Sequence, residues 1–313
     1  MNGPIPKPDD NAATLCLGEA IVDLISERPG ASFADADRFA AHLGGVSANT
    51  AVFAARAGAP AAIAGAVGDD RWGRWLRERL SDERVDVSLL RPRAGEPTQL
   101  AFVALDQAGE PEYRLYPAAA SPLAGVTAEL LDEAVSGASA LLITSNTLSE
   151  PAERSLTMHA RERALALGRP IVVDCNLRLH RWSSQRAAVQ AVRACLAGTQ
   201  LFRANAAEAT ALTGQPDPDR AADALARSGV RLVVLTLGAD GAIVRSAAGT
   251  GFSGRVEPVP ARSAIGAGDA FTGTLLAAVA TDRRADVDAA VQRALPAALR
   301  AAARACETWG ACD

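Results

Sequence analysis

Lysine is almost absent from this 313-residue chain. Of its 32 basic residues only Lys7 is a lysine, and Lys7 lies in a proline-rich N-terminal segment. P-loop proteins and protein kinases bind nucleotide phosphates with a lysine, and pyridoxal enzymes form a Schiff base with one. Because Lys7 is badly placed for these roles, the sequence argues against all three classes. A nucleotide site in this chain would have to rely on backbone amides, arginines and a metal ion.

Zinc motifs, long apolar runs and excess positive charge are also missing. The five cysteines form no C-x-x-C pair and there are only three histidines, so we predict no structural zinc site and expect inert core cysteines. No apolar run approaches the roughly 20 residues that span a bilayer, and the N-terminus lacks a signal-peptide pattern, so we expect a cytoplasmic protein with no membrane partner. The net charge of -4 argues against a nucleic-acid partner and favours small molecules.

Short β-rich runs alternate with Ala-rich amphipathic stretches from about residue 14 to residue 305. This pattern predicts an α/β fold with a mainly parallel sheet, and no linker is rich enough in Pro and Gly to separate two domains. We predict a single first strand in "TLCLGEAIVDLI" and a helix in "SANTAVFAARAG" that ends at Gly58.

Residues 98–116 interrupt this alternation. Apolar and polar residues alternate there around the turn "DQAGE", which indicates a β-hairpin inside an otherwise βα chain. The hairpin is either part of a small sheet that acts as a lid, together with "SFADADRF" after the first strand, or an edge hairpin of the main sheet. The pattern by itself does not decide between them.

The segment "AIGAGDAFTG" places Asp269 beside Gly266 and Gly268 at the start of an apolar helix. Asp269 could be an ordinary N-cap, or it could be a general base beside an anion hole formed by the helix amides and dipole. A dinucleotide fingerprint is a poor third reading, because Phe271 replaces the last glycine and the segment lies near the end of the chain.

A second glycine segment, "HLGGVSANTAVFAARAG", follows the first strand region. Gly44 and Gly45 allow close backbone approach, Ser47 is expected to cap the helix, and Asn49 projects from its first turn. The segment is either a tight strand-to-helix turn or a site for sugar hydroxyls. Asp23 favours the site, because a carboxylate within the apolar run "AIVDLI" needs a partner or a ligand.

Asn205 and Glu208 lie three residues apart in "LFRANAAEATALTG". On one face at a helix start they could organise hydrated Mg²⁺ and phosphate oxygens. The same spacing is that of a capping box, with Asn as N-cap and Glu at position N3.

Two further segments follow predicted strands. In "VVDCNLRLHRW", Asp174, Asn176 and Arg178 come at alternate positions after a buried strand, where α/β sheets bind ligands. Arg178 could bind phosphate or a substrate oxygen, or form a surface ion pair. In "LTLGADGAIV", Gly238 and Gly241 occupy a strand-to-strand turn that is either a plain hairpin or a loop beside a nucleotide.

In this order along residues 14–311, the motifs resemble the ribokinase-like carbohydrate kinases, also called the PfkB family. The resemblance implies a three-layer α/β/α fold with a mainly parallel sheet, in a single domain. It also implies a small β-sheet lid, formed by segments near 26–43 and 95–120. ATP with Mg²⁺ would donate its γ-phosphoryl group to a hydroxymethyl group of a small sugar, with no need for a P-loop lysine.

The resemblance also implies site residues. The catalytic group would be Asp269 as base, with Gly266, Ala267 and Gly268 as anion hole. The sugar would be bound by Asp23, Gly44, Gly45, Asn49 and Arg178. The nucleotide would be bound by Asn205, Glu208, Thr236, Gly238 and Gly241, with Glu208 holding Mg²⁺ through water.

Within the family, the segments "GEAIVDLI", "TQLAFVALDQAGEPEYRLY" and "DCNLRLHRW" look most like fructokinases. The alternatives are a 2-keto-3-deoxygluconate kinase and, in another class, a non-catalytic binding relative. Ser263, Ala264 and Ile265 replace the Asp-Thr-x that usually helps such kinases bind a monovalent cation, so potassium activation is in doubt. Pro117 and Ala118 depart from the fructokinase lid pattern. The resemblance also implies a homodimer formed through the lid.

Overall fold

The computed structural model describes residues 11–28, 33, 36–106, 111–117, 120–249, 251–281 and 287–313. Lys7, Ala118, parts of both predicted lid segments and most of the "DQAGE" turn lie outside these residues. The strands are β1 Thr14–Leu17, β2 Ile21–Ile25, β3 Ala40–Gly44, β4 Ala61–Gly68, β5 Val85–Asp86, β6 Leu90–Arg93, β7 Leu100–Leu105, β8 Pro111–Tyr116, β9 Ala140–Thr144, β10 Ile171–Asp174, β11 Leu201–Asn205, β12 Leu232–Thr236, β13 Ala242–Ser246 and β14 Gly251–Gly254. The helices are α1 Val46–Arg56, α2 Arg71–Asp82, α3 Ala128–Gly137, α4 Pro151–Ala166, α5 Gln185–Ala194, α6 Ala206–Thr213, α7 Pro218–Ala226, α8 Ala267–Thr281 and α9 Val287–Ala305.

Ten of the described strands form the main sheet, in the order β14-β13-β12-β11-β10-β9-β1-β4-β5 with β6 beside β4. The pairings from β12 to β5 are parallel, and β13 and β14 add an antiparallel edge. The central strands β1, β4, β9, β10, β11 and β12 are buried on both sides, which explains their mostly apolar sequences. The predicted mainly parallel sheet is confirmed.

Helices cover both faces of this sheet. Leu15 and Leu17 of β1 pack into the layer formed with α3 to α7, whereas Cys16 between them packs into the layer formed with α1, α2, α8 and α9. This division follows from the two-residue period of a strand. Helices α1 and α8 approach closely at Gly273, where a Cβ would lie 2.6 Å from Phe53 Cβ. The close approach places the first turns of α1 and α8 side by side.

The predicted first strand is wrong in one respect, because "TLCLGEAIVDLI" forms two strands in two different sheets. β1 belongs to the main sheet, and β2 belongs to a four-stranded sheet of order β3-β2-β7-β8, which we call the small sheet. The chain turns at Gly18, whose φ of 143° is one that side chains rarely adopt. A Cβ there would also overlap Ser47 Oγ.

The predicted hairpin is confirmed as the antiparallel pair β7 and β8, and it lies in the small sheet and not at the edge of the main one. One face of the small sheet contributes Ile25, Ala101 and Val103 to an apolar cluster with Ile265 and Ala311. Since only Gly266 separates Ile265 from α8, the small sheet rests against the start of that helix. Within the described ranges no helix is both long enough and apolar enough to cross a membrane.

Candidate active site

A cavity of about 720 Å³ is lined by the carboxyl ends of the main-sheet strands, the start of α8 and residues of the small sheet. Polar residues gather there because parallel strands end at one edge, where their last residues and loops need no longer be apolar. All but one of the predicted site residues line this cavity. They are Asp23, Gly45, Asn49, Arg178, Asn205, Glu208, Thr236, Gly238, Gly241, Gly266, Ala267, Gly268 and Asp269.

Asp269 is the third residue of α8 and therefore lies inside its first turn, which excludes the N-cap reading. Its Oδ2 accepts a hydrogen bond of 2.8 Å from Asn49 Nδ2 on α1. Burial raises the pKa of Asp269 to about 7; the Asn49 bond opposes this shift and the charge of Asp174 adds to it. A carboxyl group with such a pKa can accept a proton near neutral pH.

The glycines around Asp269 keep the start of α8 open. Gly266 has a φ of 77°, and a Cβ there would lie 2.6 Å from Ala311 Cα. At Gly268 a Cβ would lie 2.9 Å from Nη1 of Arg203. The first amides of a helix have no partner within the helix, so this cavity wall presents donors to an anion.

Arg203, the middle residue of β11, was not selected from the sequence although it lies within the segment "LFRANAAEATALTG". Its Nη1 lies 3.2 Å from Asp174 Oδ1, and its Nη2 donates to Thr236 Oγ1 at 2.7 Å. Burial works against the charge of Arg203, but Asp174 and Glu208 outweigh it and raise the pKa of the guanidinium. Asp174 also accepts a hydrogen bond from Thr272 of α8, so it joins β10, β11 and α8 behind the cavity wall. The available signal for Arg203 was a charged residue within the otherwise apolar run "LFRA".

Asn205 and Glu208 form the capping box of α6, as the sequence allowed. Asn205 Oδ1 accepts from Glu208 N at 2.8 Å, and Glu208 Oε2 accepts from Asn205 N at 2.8 Å. Glu208 Oε1 also accepts from Leu177 N at 2.7 Å. Glu208 therefore joins α6 to the loop after β10 while its carboxylate still faces the cavity.

Direct coordination of a metal by a protein cage does not fit these contacts. In the part of the chain that the structure describes, no group of three or more His, Cys, Asp or Glu side chains is arranged to hold a metal. A lone carboxylate whose oxygens already accept two backbone amides fits Mg²⁺ that keeps its waters.

Asp23 lies on β2 and is 4% exposed. Burial and the nearby charge of Asp269 raise its pKa to about 7. Its Oδ1 has no hydrogen-bond partner among the described residues. A Cβ at Gly44 would overlap this carboxylate, so Gly44 lies behind Asp23 and not on the cavity wall.

The predicted helix cap at Ser47 is wrong. Helix α1 begins at Val46, and its N-cap position is Gly45, two residues before Ser47; Gly45 has a φ of 97° and makes no side-chain cap. Ser47 is fully buried and donates to Leu17 O at 3.0 Å. A Cβ at Gly45 would lie 2.6 Å from Glu19 O, so the turn into α1 requires glycine.

Glu19 and Asn146 also line the cavity and were not selected from the sequence. Glu19 Oε1 accepts from Asn146 Nδ2 at 2.7 Å and from Val46 N at 3.2 Å. Glu19 follows β1 and Asn146 follows β9, so the rule that strand ends carry the site could have found both.

Arg178 faces the cavity, with its guanidinium carbon 5.5 Å from the ring centre of Tyr113 on β8. This cation–π contact connects the loop after β10 to the small sheet. Gly238 and Gly241 also line the cavity, and they form the predicted turn between β12 and β13. A Cβ at Gly241 would lie 2.9 Å from Arg255 Cα, so the turn packs closely on the chain after β14.

Comparison with known proteins decides the family. The description "pfkB family carbohydrate kinase" matches residues 11–312 of the chain. The chain belongs to this family. This carbohydrate kinase is 32% identical over 277 residues to probable fructokinase-7 of Arabidopsis thaliana. The match covers 88% of this chain and 80% of that protein. Fructokinase-1 of Oryza sativa subsp. japonica is 32% identical over 271 residues, across 86% of this chain and 83% of the relative.

Solved structures of sugar kinases share the fold. Aminoimidazole riboside kinase from Salmonella enterica, complexed with aminoimidazole riboside and an ATP analogue, superposes with a TM-score of 0.81 at 25% identity over 96% of this chain and 95% of that one. An uncharacterised sugar kinase from Pyrococcus horikoshii in complex with ATP superposes with a TM-score of 0.79 at 26% identity, over 96% and 94% of the two chains. The ribokinase-like fold expected from the sequence is confirmed.

Proposed function

We propose that this carbohydrate kinase transfers the γ-phosphoryl group of ATP to a hydroxymethyl group of a small sugar, with fructose as the first substrate to test. The observation that carries the proposal is the placement of Asp269, a buried carboxylate with a pKa of about 7, in the first turn of α8 beside the open amides of that helix. The similarity to plant fructokinases supports the choice of sugar.

In the proposed reaction, Asp269 accepts the proton of the sugar hydroxyl. The hydroxyl oxygen forms a bond to the γ-phosphorus, and the bond between that phosphorus and the bridging oxygen breaks to release ADP. The amides of Gly266, Ala267 and Gly268 donate to the phosphoryl oxygens, where negative charge is concentrated. Asn49 orients the Asp269 carboxylate through its 2.8 Å hydrogen bond.

Asn205 and Glu208 are proposed to hold Mg²⁺ through water at the start of α6. When bound, Mg²⁺ would neutralise charge on the phosphate oxygens. Thr236, Gly238 and Gly241, which line the same end of the cavity, are proposed to contact the nucleotide. The ATP complexes of the structural relatives support a nucleotide substrate.

The sugar is proposed to bind between Asp23, Gly45 and Asn49, where the unpartnered Oδ1 of Asp23 needs a hydroxyl donor. Gly44 contributes by leaving space for that carboxylate. Arg178 favours a second candidate substrate, 2-keto-3-deoxygluconate, because its guanidinium faces the cavity and can bind a sugar carboxylate.

Three finer points remain predictions. A homodimer through the small sheet is supported by Tyr116 of β8, which is 60% exposed and lies in edge contact with the ring of Phe102. A cytoplasmic location and the question of potassium activation, which Ser263, Ala264 and Ile265 put in doubt, rest on the sequence alone. In the structure Ser263 Oγ accepts a local hydrogen bond from Ile265 N at 3.0 Å.

The test is a coupled ADP-release assay with ATP and Mg²⁺ over fructose, glucose, ribose and 2-keto-3-deoxygluconate. We expect the highest kcat/KM on fructose. Highest turnover on 2-keto-3-deoxygluconate would transfer the assignment to the second candidate. No release on any sugar, with ATP still bound, would overturn the kinase proposal and favour a non-catalytic binding relative.

A further inference from the structure

Arg203 places a buried positive charge against the open start of α8. The residue is 7% exposed and lines the cavity. Its two terminal nitrogens lie 2.9 and 3.0 Å from the position that a Cβ of Gly268 would occupy. Gly268 is therefore the residue that lets the guanidinium approach the helix terminus.

A structural ion pair accounts for only part of this arrangement. A guanidinium has five N–H donors, of which the contacts with Asp174 and Thr236 use one on each terminal nitrogen. The Nε–H is buried and has no partner within the residues that the structure describes. Asp174 in turn shares its charge with the Thr272 hydroxyl. A buried cation with spare donors in a cavity wall is suited to an anionic ligand.

We infer that Arg203 is a further catalytic residue, whose guanidinium donates hydrogen bonds to the terminal phosphate oxygens of a nucleoside triphosphate at the start of α8. The inference rests on the proposed kinase function. Arg203 stays protonated throughout: Asp269 takes the proton of the hydroxyl, and the γ-phosphoryl group moves from ATP to the sugar oxygen, which releases ADP. The guanidinium binds the oxygens of the group in transfer, which an isolated helix terminus would contact through amides alone.

This role gives a physical reason why the chain can bind phosphates with a single, poorly placed lysine. Asp174 and Thr236 fix two edges of the planar guanidinium from β10 and β12, which neighbour β11 on either side. An arginine held in this way is preorganised and loses little side-chain entropy when the anion binds.

The test compares Arg203→Met with Arg161→Met. Arg161 is equally buried at 7% but donates to backbone oxygens of Cys195 and Ala197 outside the cavity lining, so it controls for the loss of a buried arginine. Affinities for AMP and for the non-hydrolysable analogue AMP-PNP are measured by titration calorimetry with Mg²⁺ present. We expect Arg203→Met to bind AMP within about twofold of wild type, to bind AMP-PNP at least about tenfold more weakly, and to lose about 100-fold or more in kcat.

Equal losses of affinity for AMP and AMP-PNP in Arg203→Met, or no loss for either, would overturn the inference. The proposed function would still stand if the wild-type protein turns over ATP and sugar. A wild-type protein that binds neither nucleotide would overturn both. If Arg203→Met does not fold, Arg203→Lys carries the test, because it keeps the charge opposite Asp174 and loses the forked donors. We then expect wild-type AMP affinity with kcat about tenfold lower, and wild-type kcat would contradict the inference.

Discussion

Asn49 Nδ2 donates a 2.8 Å hydrogen bond to Asp269 Oδ2, although 220 positions separate the two residues in the chain. The bond joins the first turns of α1 and α8, whose close packing at Gly273 brings the two residues together. It also favours the ionised carboxylate, against the burial that raises the pKa of Asp269. The proposed sugar site and the proposed base are thus coupled through one contact.

Replacement of Asp269 by Asn should remove the proton acceptor and preserve the shape of the site. We expect kcat to fall by about 10²- to 10⁴-fold, the range of general-base catalysis, with ATP affinity retained. The assay is ADP release combined with nucleotide titration. Asp82→Asn, at an exposed position that ends α2, is the control and should retain full activity. Near-normal turnover of Asp269→Asn would exclude the mechanism.

The wild-type pH profile should show an acid limb, because Asp269 must be ionised to accept a proton and its pKa is about 7. We expect kcat/KM to fall as pH decreases below about 7. In Asn49→Ser the donor to Asp269 is lost, so the pKa of Asp269 should rise and the limb should move to higher pH. A limb that stays in place in Asn49→Ser would show that the hydrogen bond does not act on the reacting group.

The same buried carboxylates should make stability depend on pH. Burial raises the pKa values of Asp23 and Asp269 from 3.8 to about 7. Between about pH 4 and pH 7 the unfolded chain has released protons that the folded protein retains, so the free energy of unfolding falls as pH rises and levels off above 7. Asp269→Asn stays neutral throughout. Its stability relative to wild type should increase by about 2 kcal/mol from pH 5 to pH 8, measured by urea denaturation. A constant difference would contradict the raised pKa.

Substitution of Asn205 in the capping box of α6 can show whether this residue stabilises the helix only or also binds the nucleotide and Mg²⁺. Asn205→Ala removes a helix N-cap, and so does Asp217→Ala in α7, where Asp217 Oδ1 accepts from Arg220 N at 2.9 Å on the surface. Both should lose about 1 kcal/mol of stability. Only Asn205→Ala should also raise the KM for ATP and the Mg²⁺ concentration required for half activity. If both variants have the same KM for ATP and the same Mg²⁺ requirement, Asn205 acts only as a helix cap.

Gly268→Ala should inactivate the enzyme with little loss of fold. The new methyl group would lie 2.9 Å from the Arg203 guanidinium and narrow the start of α8. We expect a fall in kcat of about 100-fold or more, comparable to the loss of an oxyanion-hole donor. Gly137→Ala is the matched control, because a Cβ at Gly137 meets nothing within 4 Å. Retention of activity by Gly268→Ala would argue that the anion does not bind at this turn.

The fold class, the β7–β8 hairpin and most of the proposed site residues were predictable from sequence. Strand runs, helix starts and the spacing of Asn205 and Glu208 are local patterns. They depend mainly on residues that are close together in the chain, so the sequence can show them. The order of five motifs added the family resemblance. Gly266 and Gly268 also mark the open helix start in the sequence.

Tertiary structure decided what depends on residues far apart in the chain. At Gly18, where the predicted first strand divides, Ser47 occupies the space that a side chain would need. The positions of Arg203, Glu19 and Asn146 depend on which strands become neighbours, so the sequence around each of them does not show what it contacts. The pKa values of Asp23 and Asp269 depend on burial and on mutual proximity, which only packing creates.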